Sequence, residues 1–247
     1  MATRLNLEIL PQPTETTCGP TCLHAVYRYF GENLPLPQVI GEITELSEGG
    51  TLAVLLGCHA LARGYDATIY TLNLQVFDPT WFVSHNFPLK ERLVAQMAAK
   101  DSPKLHTASK AYLEFLDRGG KIRMTDLTAG LLRKFLKKSI PVLTGLSSTY
   151  LYRSAREHGI KSESDDIRGY PTGHFVVLCG YDMADRSVMI ADPFLPNPLG
   201  PEHHYEVDVD RVIRAILLGI LTYDANLLII QPGKKSRKVK HVDSDRR

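Results

Sequence analysis

No stretch of this 247-residue sequence is apolar for long enough to cross a bilayer. A membrane-spanning helix needs about eighteen such residues; the best candidate, Ala215 to Leu221, has seven and follows Arg214. The opening Met-Ala-Thr-Arg-Leu-Asn-Leu-Glu lacks the apolar core of a secretory signal. Cysteine is scarce, at four in the chain, which is too few for a disulfide framework in a protein of this size. Cys58 and Cys179 lie in apolar runs and read as small core residues. A reducing cytoplasm is the simplest setting, and it keeps Cys18 as a thiol. Charge of one sign is scarce as well: the net charge is +2, and the segment from Gly233 onward alone carries +5. The preceding body is therefore at −3, which gives no support to a nucleic-acid partner. There is no internal repeat. At 44% hydrophobic and 23% charged residues, the composition is that of an ordinary globular protein.

The first half reads as helical. Gly19 to Phe30 has Pro20 in its first turn, Gly31 as its stop, and Cys22, Ala25, Val26, Tyr29 and Phe30 on one face. Leu36 to Ile43, Thr51 to Arg63, Leu89 to Lys100, Leu105 to Asp117 and Thr125 to Lys138 are further helices, the last with Thr125 as its cap. Leu5 to Leu10 alternates like an edge strand, and Ala67 to Tyr70 is a short strand. The second half changes character. Pro141 to Leu146, Phe175 to Tyr181, Val188 to Asp192, Tyr205 to Val209 and Leu227 to Gln231 are expected strands, with a short helix over Val212 to Leu218. Helices first and strands later predict an α+β fold, its helical N-terminal half packed on a mainly antiparallel sheet. Residues 1–232 are expected to form one domain, with a helical insertion at about 89–138, an exposed polar loop from Glu157 to Gly173 and a basic disordered tail over 233–247.

The chemistry concentrates in three places. Gln12-Pro-Thr-Glu-Thr-Thr-Cys18-Gly-Pro-Thr-Cys22-Leu puts a thiol where a turn becomes a helix. Only the thiolate is a nucleophile, and a helix N-terminus, with its unsatisfied N–H groups and positive dipole end, favours the anion. The polar residues Thr14 to Thr17 before Cys18 distinguish it from Cys22, which sits among Leu23, Ala25 and Val26 and reads as structural. Gly19 leaves room beside the sulfur for a substrate backbone. Gly173-His174 leads into an apolar strand, where a histidine can present its ring to a cleft; Gly173 shares that position. Asp192 ends the next strand before Pro193. A hairpin pairing these two strands would bring His174 and Asp192 to one end, as a base and its orienting carboxylate require. Gln12 is an amide donor which, with the Cys18 N–H, could form an oxyanion hole. Taken singly, a strand-mouth histidine, an Asp-Pro and a turn glutamine are commonly a solvated side chain, turn chemistry and surface polarity. Together they are the parts of nucleophilic acyl chemistry.

These motifs, Gln12, Cys18-Gly-Pro-Thr-Cys-Leu, Gly173-His174-Phe-Val-Val-Leu and Ile190-Ala-Asp192-Pro, resemble those of the papain-like cysteine peptidases that remove double-glycine leaders from bacteriocin precursors. The resemblance covers roughly the first 30 residues and Gly173 to Pro193. It implies a papain-like fold, cleavage after small residues, a peptide or leader as partner, and no metal or organic cofactor. It also implies Cys18 as nucleophile, His174 as base, Asp192 as orienter and Gln12 as oxyanion donor. Unlike the exporter-borne members, this chain shows neither membrane spans nor an ATP-binding loop, so a stand-alone enzyme is expected.

Three readings follow: a peptidase or amidase that hydrolyses a thioester on Cys18, a ligase or transpeptidase that passes the same acyl group to an amine, and a peptide-binding module without catalysis. A further expectation attaches to Arg153, Arg156 and Arg168, which flank the polar loop and could hold a substrate carboxylate by bidentate hydrogen bonds.

Overall fold

The computed structural model describes residues 2–47, 49–84, 87–159 and 162–233; the basic segment 234–247 lies outside the described residues. Among them, helices occupy α1 (Cys18–Tyr29), α2 (Leu36–Glu42), α3 (Ala53–Ala62), α4 (Leu89–Ala99), α5 (Pro103–Asp117), α6 (Ala129–Leu136), α7 (Ser148–Tyr152) and α8 (Val209–Leu218). Strands are β1 (Ala2–Arg4), β2 (Tyr65–Thr71), β3 (Lys121–Arg123), β4 (Val142–Ser147), β5 (Glu157–His158), β6 (Glu163–Ser164), β7 (Gly173–Asp182), β8 (Ser187–Ala191), β9 (His204–Asp208) and β10 (Asn226–Pro232). The main sheet runs β3-β2-β10-β4-β7-β8-β9, with β1 joining β7. Every pairing in it is antiparallel except β2–β3. The α+β expectation and the antiparallel sheet hold.

Sequence pattern explains the layers. β4 is buried along its whole length and β7 over nearly all of it, and their Val, Leu and Phe runs suit strands covered on both faces. Helices α1, α3 and α5 cover the sheet with residues such as Leu23, Tyr27, Leu56, Tyr112 and Phe115, all essentially inaccessible. From β4 and β7 the chain also meets α6 and α8, whose Leu132, Leu136, Val212 and Ile216 are equally buried. β7 is the hub. It pairs with β4 through Gly173 to Leu178, with β8 through Val177 to Asp182, and with β1 through Gly180 to Asp182. Gly180 is required there: a Cβ would fall 2.8 Å from Met189 Cβ and 2.9 Å from the Thr3 carbonyl oxygen.

Two expectations shift. Leu5 to Leu10 keeps its alternating burial, Leu5, Leu7 and Ile9 inward, but forms no ladder; the strand is Ala2–Arg4. Beyond Leu5, whose N–H reaches the Cys179 carbonyl at 2.7 Å, the segment is held by side chains such as His204, which bonds the Leu7 carbonyl at 2.8 Å. Helix α6 starts at Ala129 and is capped by the Thr128 hydroxyl, which accepts from Leu131 N at 3.1 Å. Both threonines precede the same apolar face, and Thr128 is the one within reach of the first turn.

One buried charge stands apart. Asp224, just before β10, is buried near the Ala53 backbone N–H at the start of α3, and its Oδ1 is without a partner. Its carboxyl so fills the space beside β4 that a Cβ on Gly145 would lie 2.5 Å from the carboxyl carbon. Burial pushes the Asp224 carboxyl up to about 7, against the opposing pull of the Ala53 N–H and Lys104. An acid whose folded value exceeds its unfolded one keeps its proton in the native state, so native stability falls as pH rises from about 4 to about 7. Asp224→Asn should therefore unfold at higher urea concentration than wild type at pH 8, by a margin of up to about 4 kcal/mol, and show no gain at pH 4. A gain independent of pH would contradict the assignment.

Candidate active site

Helix α1 begins at Cys18 because the residues before it cannot continue it: Thr17 has φ −101° and ψ 13°. The Thr17 hydroxyl turns back into the loop, donating to the Thr14 carbonyl at 2.9 Å and accepting from Thr14 N at 3.0 Å. No side chain caps the helix. The sulfur thus stands at an uncapped N-terminus, at the positive end of the dipole. Gly19 is placed otherwise than expected. A Cβ there would meet Thr51 at 2.7 Å and Phe175 at 3.2 Å, so the missing side chain makes room for the protein's own packing, not for substrate. Gly173 is exposed, beside Thr222, whose hydroxyl a Cβ would approach to 2.7 Å.

The hairpin β7–β8 carries the other two groups. Its register pairs Val177 with Ala191, and the mouth of β7 and the end of β8 fall at the same end of the sheet. His174 Nε2 donates to Asp192 Oδ1 at 2.8 Å, and the Cys18 side chain is close enough to act on the His174 ring. With Nε2 committed to the carboxylate, Nδ1 is the nitrogen left for the sulfur. Cys18 and His174 retain only 8% and 7% of their surface, so both are largely withdrawn from solvent. Gln12 is tied to the same end: its N–H donates to the carbonyl of Pro193, next to Asp192, at 2.9 Å. Its Nε2 donates to the Thr14 carbonyl at 3.1 Å, and its Oε1 is buried without a partner. Cys18, His174 and Asp192 are therefore brought together at one end of the sheet, with Gln12 anchored beside the acidic group.

Asp192 has no exposed surface. Besides His174, Oδ1 accepts from Phe194 N at 2.9 Å, while Oδ2 accepts from the Tyr152 hydroxyl at 2.6 Å and the Tyr205 hydroxyl at 2.5 Å. His203 brackets its backbone, bonding the Asp192 carbonyl through Nδ1 at 2.6 Å and receiving the Asp192 N–H at 2.9 Å. Tyr152 and Phe194 also flank the His174 ring, with centroids 6.1 and 6.2 Å away. These aromatic partners were missed in the sequence. Tyr205 begins a strand whose pairing with β8 is a matter of register, and Tyr152 comes from α7, which has no periodicity long enough to read.

Burial opposes charge on the His174 ring, but the Asp192 carboxylate, by charge and by hydrogen bond, together with Cys18, pushes it up to about 10. Burial would raise the Asp192 carboxyl, but the charge and hydrogen bond of His174, then the two tyrosine hydroxyls, hold it below the ordinary carboxylate value. Burial, followed by the Asp192 charge, pushes both tyrosines far above the ordinary phenol range, so they remain donors. Cys22 matches the structural role expected of it: its thiol points to the Phe175 carbonyl at 3.2 Å, and burial, then Cys18, pushes it up. All four cysteines are free thiols. The arginines do not gather for a ligand. Arg168 pairs with Asp165 at 2.6 Å and Arg156 bonds the Asp166 carbonyl, so two of the three brace their own loop.

The family model described as "Peptidase_C39 like family" matches residues 4–211. No curated protein sequence matches the chain. Among solved structures, a C39-like peptidase from Bacillus anthracis superimposes with a TM-score of 0.52 at 15% identity, covering 95% of this chain and 100% of that one. At that identity the likeness speaks to fold, and the papain-like architecture expected from the motifs holds. Lower scores, 0.43 at 13% identity, are found with a double glycine motif protease from an AMS/PCAT transporter in complex with leader peptide (93% of this chain, 94% of that one) and with the peptidase domain of Streptococcus ComA (92% and 99%).

The raised His174 value adds stability that is full below its ordinary value of 6.5 and is lost as pH climbs through about 10. The lowered Asp192 value adds stability that is present above its ordinary value of 3.8 and is lost as pH falls into the acid range. Tyr152→Phe and Tyr205→Phe each remove one donor from Asp192 Oδ2. Each should cost about 1–2 kcal/mol in chemical denaturation and raise the pH at which the Asp192 carboxyl titrates, read from its side-chain carbon resonance. A double variant with wild-type titration would remove the tyrosines from this role.

Proposed function

We propose that this chain, which belongs to the Peptidase_C39 like family, is a cysteine peptidase that cleaves a peptide bond through a thioester on Cys18. The observation that carries the reading is the His174–Asp192 hydrogen bond with the Cys18 side chain acting on the same ring, the sulfur standing at an uncapped helix N-terminus. In this mechanism His174 takes the Cys18 proton, and Asp192 supports the imidazolium. The sulfur attacks the carbonyl carbon. Negative charge developing on the oxygen falls to the Cys18 N–H and the second Nε2 hydrogen of Gln12. His174 then protonates the departing amine as the C–N bond breaks and the carbonyl re-forms, leaving the acyl group on the sulfur as a thioester. A water that gives its proton to His174 hydrolyses the thioester and restores the thiol.

The peptidase unit is taken to run to residue 232, beyond the family match, because β10 lies between β2 and β4 within the sheet. Residues 89–138 are taken as an insertion. No described helix is long and apolar enough to cross a membrane. The four free thiols suit a reducing compartment such as the cytoplasm. No feature of the site favours acyl transfer over hydrolysis. A binding-only module has no use for a buried imidazole–carboxylate pair beside a thiol.

Mass spectrometry of the protein mixed with a peptide library should reveal an acyl adduct on Cys18, absent in Cys18→Ala, and hydrolysed product in place of adducts to added amine. Gln12→Ala should retain the adduct but slow turnover by about 10²–10³-fold, the loss typical of one oxyanion donor. A library that leaves wild type and Cys18→Ala indistinguishable would defeat the proposal.

A further inference from the structure

At the opposite side of the sheet from β7 and β8, β3 borders a groove of about 630 Å3 that shares no residue with the Cys18 site. Its floor is aromatic: Tyr70, Trp81 and Phe82 are half-buried, and the last two pack edge-on against the buried Phe77 at 6.5 and 5.8 Å. Its charge is of one sign. Lys121, Arg123 and Lys134 line it, all exposed, and among the described residues no carboxylate does. Among the described residues no ion pair engages any of these three cations. Among them too, β3 pairs only with β2, so its outer edge presents unpaired backbone N–H and C=O groups. Cations on an edge strand ordinarily repel other strands, but such an edge has no need of a half-buried aromatic floor. To an acidic strand the same cations are attractive.

We propose that this groove binds an acidic, extended segment of the peptide processed at Cys18, added as a strand to β3. Its apolar side chains would rest on Tyr70, Trp81 and Phe82, and its carboxylates would meet Lys121, Arg123 and Lys134. The chain's own segment 234–247 carries the same sign as the groove and is repelled by it. Four strand spacings of about 4.8 Å separate β3 from β7, a distance that about six extended residues span. That the occupant is substrate rests on the peptidase reading; the binding chemistry does not.

Trp81 is the chain's single tryptophan, so its emission reports occupancy directly. The probe is a capped eight-residue peptide of alternating Glu and Leu, titrated into full-length Cys18→Ala, with the Lys-for-Glu peptide as control. The acidic peptide should change Trp81 emission saturably. Its affinity should fall at least tenfold in R123E/K134E and again when salt is raised from 50 to 300 mM. Equal response to both peptides, or affinity unaltered in a variant whose thermal unfolding matches the parent, overturns the groove assignment. In wild type, a cleavable peptide carrying the acidic segment about six residues from its scissile bond should show KM lowered at least tenfold with kcat unchanged, and R123E/K134E should lose that gain. Tight binding with KM unmoved overturns the substrate identity. Binding without acylation of Cys18 by any peptide overturns the peptidase reading and leaves the groove assignment standing.

Discussion

A carboxylate with no exposed surface must regain from the protein the hydrogen bonds that water had supplied, and at Asp192 four donors do so. They arrive from four different places: the mouth of β7, helix α7, strand β9 and the backbone just past Pro193. The rest of the site follows from this convergence. Because Asp192 is fixed on both oxygens, His174 Nε2 has one acceptor and one direction, and its other nitrogen is turned toward the sulfur. Because the carboxylate keeps its charge, the ring can hold a proton inside the protein against the penalty of burial. The geometry at Cys18 is therefore set by groups that never approach the sulfur.

The fold supplies what such a convergence needs. β7 is clamped by β4, β8 and β1, and its glycine at 180 lets two strands close on it at once. On one side α1 lies against β7, with Gly19 allowing contact with Thr51 and Phe175, so the helix that carries the sulfur and the strand that carries the imidazole meet without a gap. Gln12 is bound to Pro193 by a single backbone hydrogen bond, which links the loop before the helix to the turn after β8.

Much of this was legible in the residues. Pro20 and Gly31 punctuate α1, the two apolar runs around Met183 to Arg186 read as a hairpin, and that hairpin alone brings His174 to Asp192. What was not legible depends on long-range pairing. Tyr205 faces Asp192 only because β9 pairs with β8 in a given register, and Tyr152 comes from a single turn of helix too short to show a period. Gly19 read as space for a substrate because it has no side chain beside the sulfur; its neighbours in space, Thr51 and Phe175, lie far along the chain. Leu5 to Leu10 alternates as a strand does, but alternation reports which side chains are buried and not which backbone groups are paired. The braced loop around Asp165 shows the same limit: charge content alone does not reveal that its arginines already have partners.

The last ladder strand to leave the ribosome, β10, inserts between β2 and β4, near the middle of the sheet rather than at a border. The thiol-bearing helix is synthesised within the first thirty residues, yet the layer beneath α3 stays split in two until Asn226 to Pro232 emerge and join its halves. A chain still under synthesis thus carries the Cys18 helix long before the sheet beneath it is complete. The order of synthesis places Cys18, His174 and Asp192 in the chain before the strand that joins the two halves of the sheet.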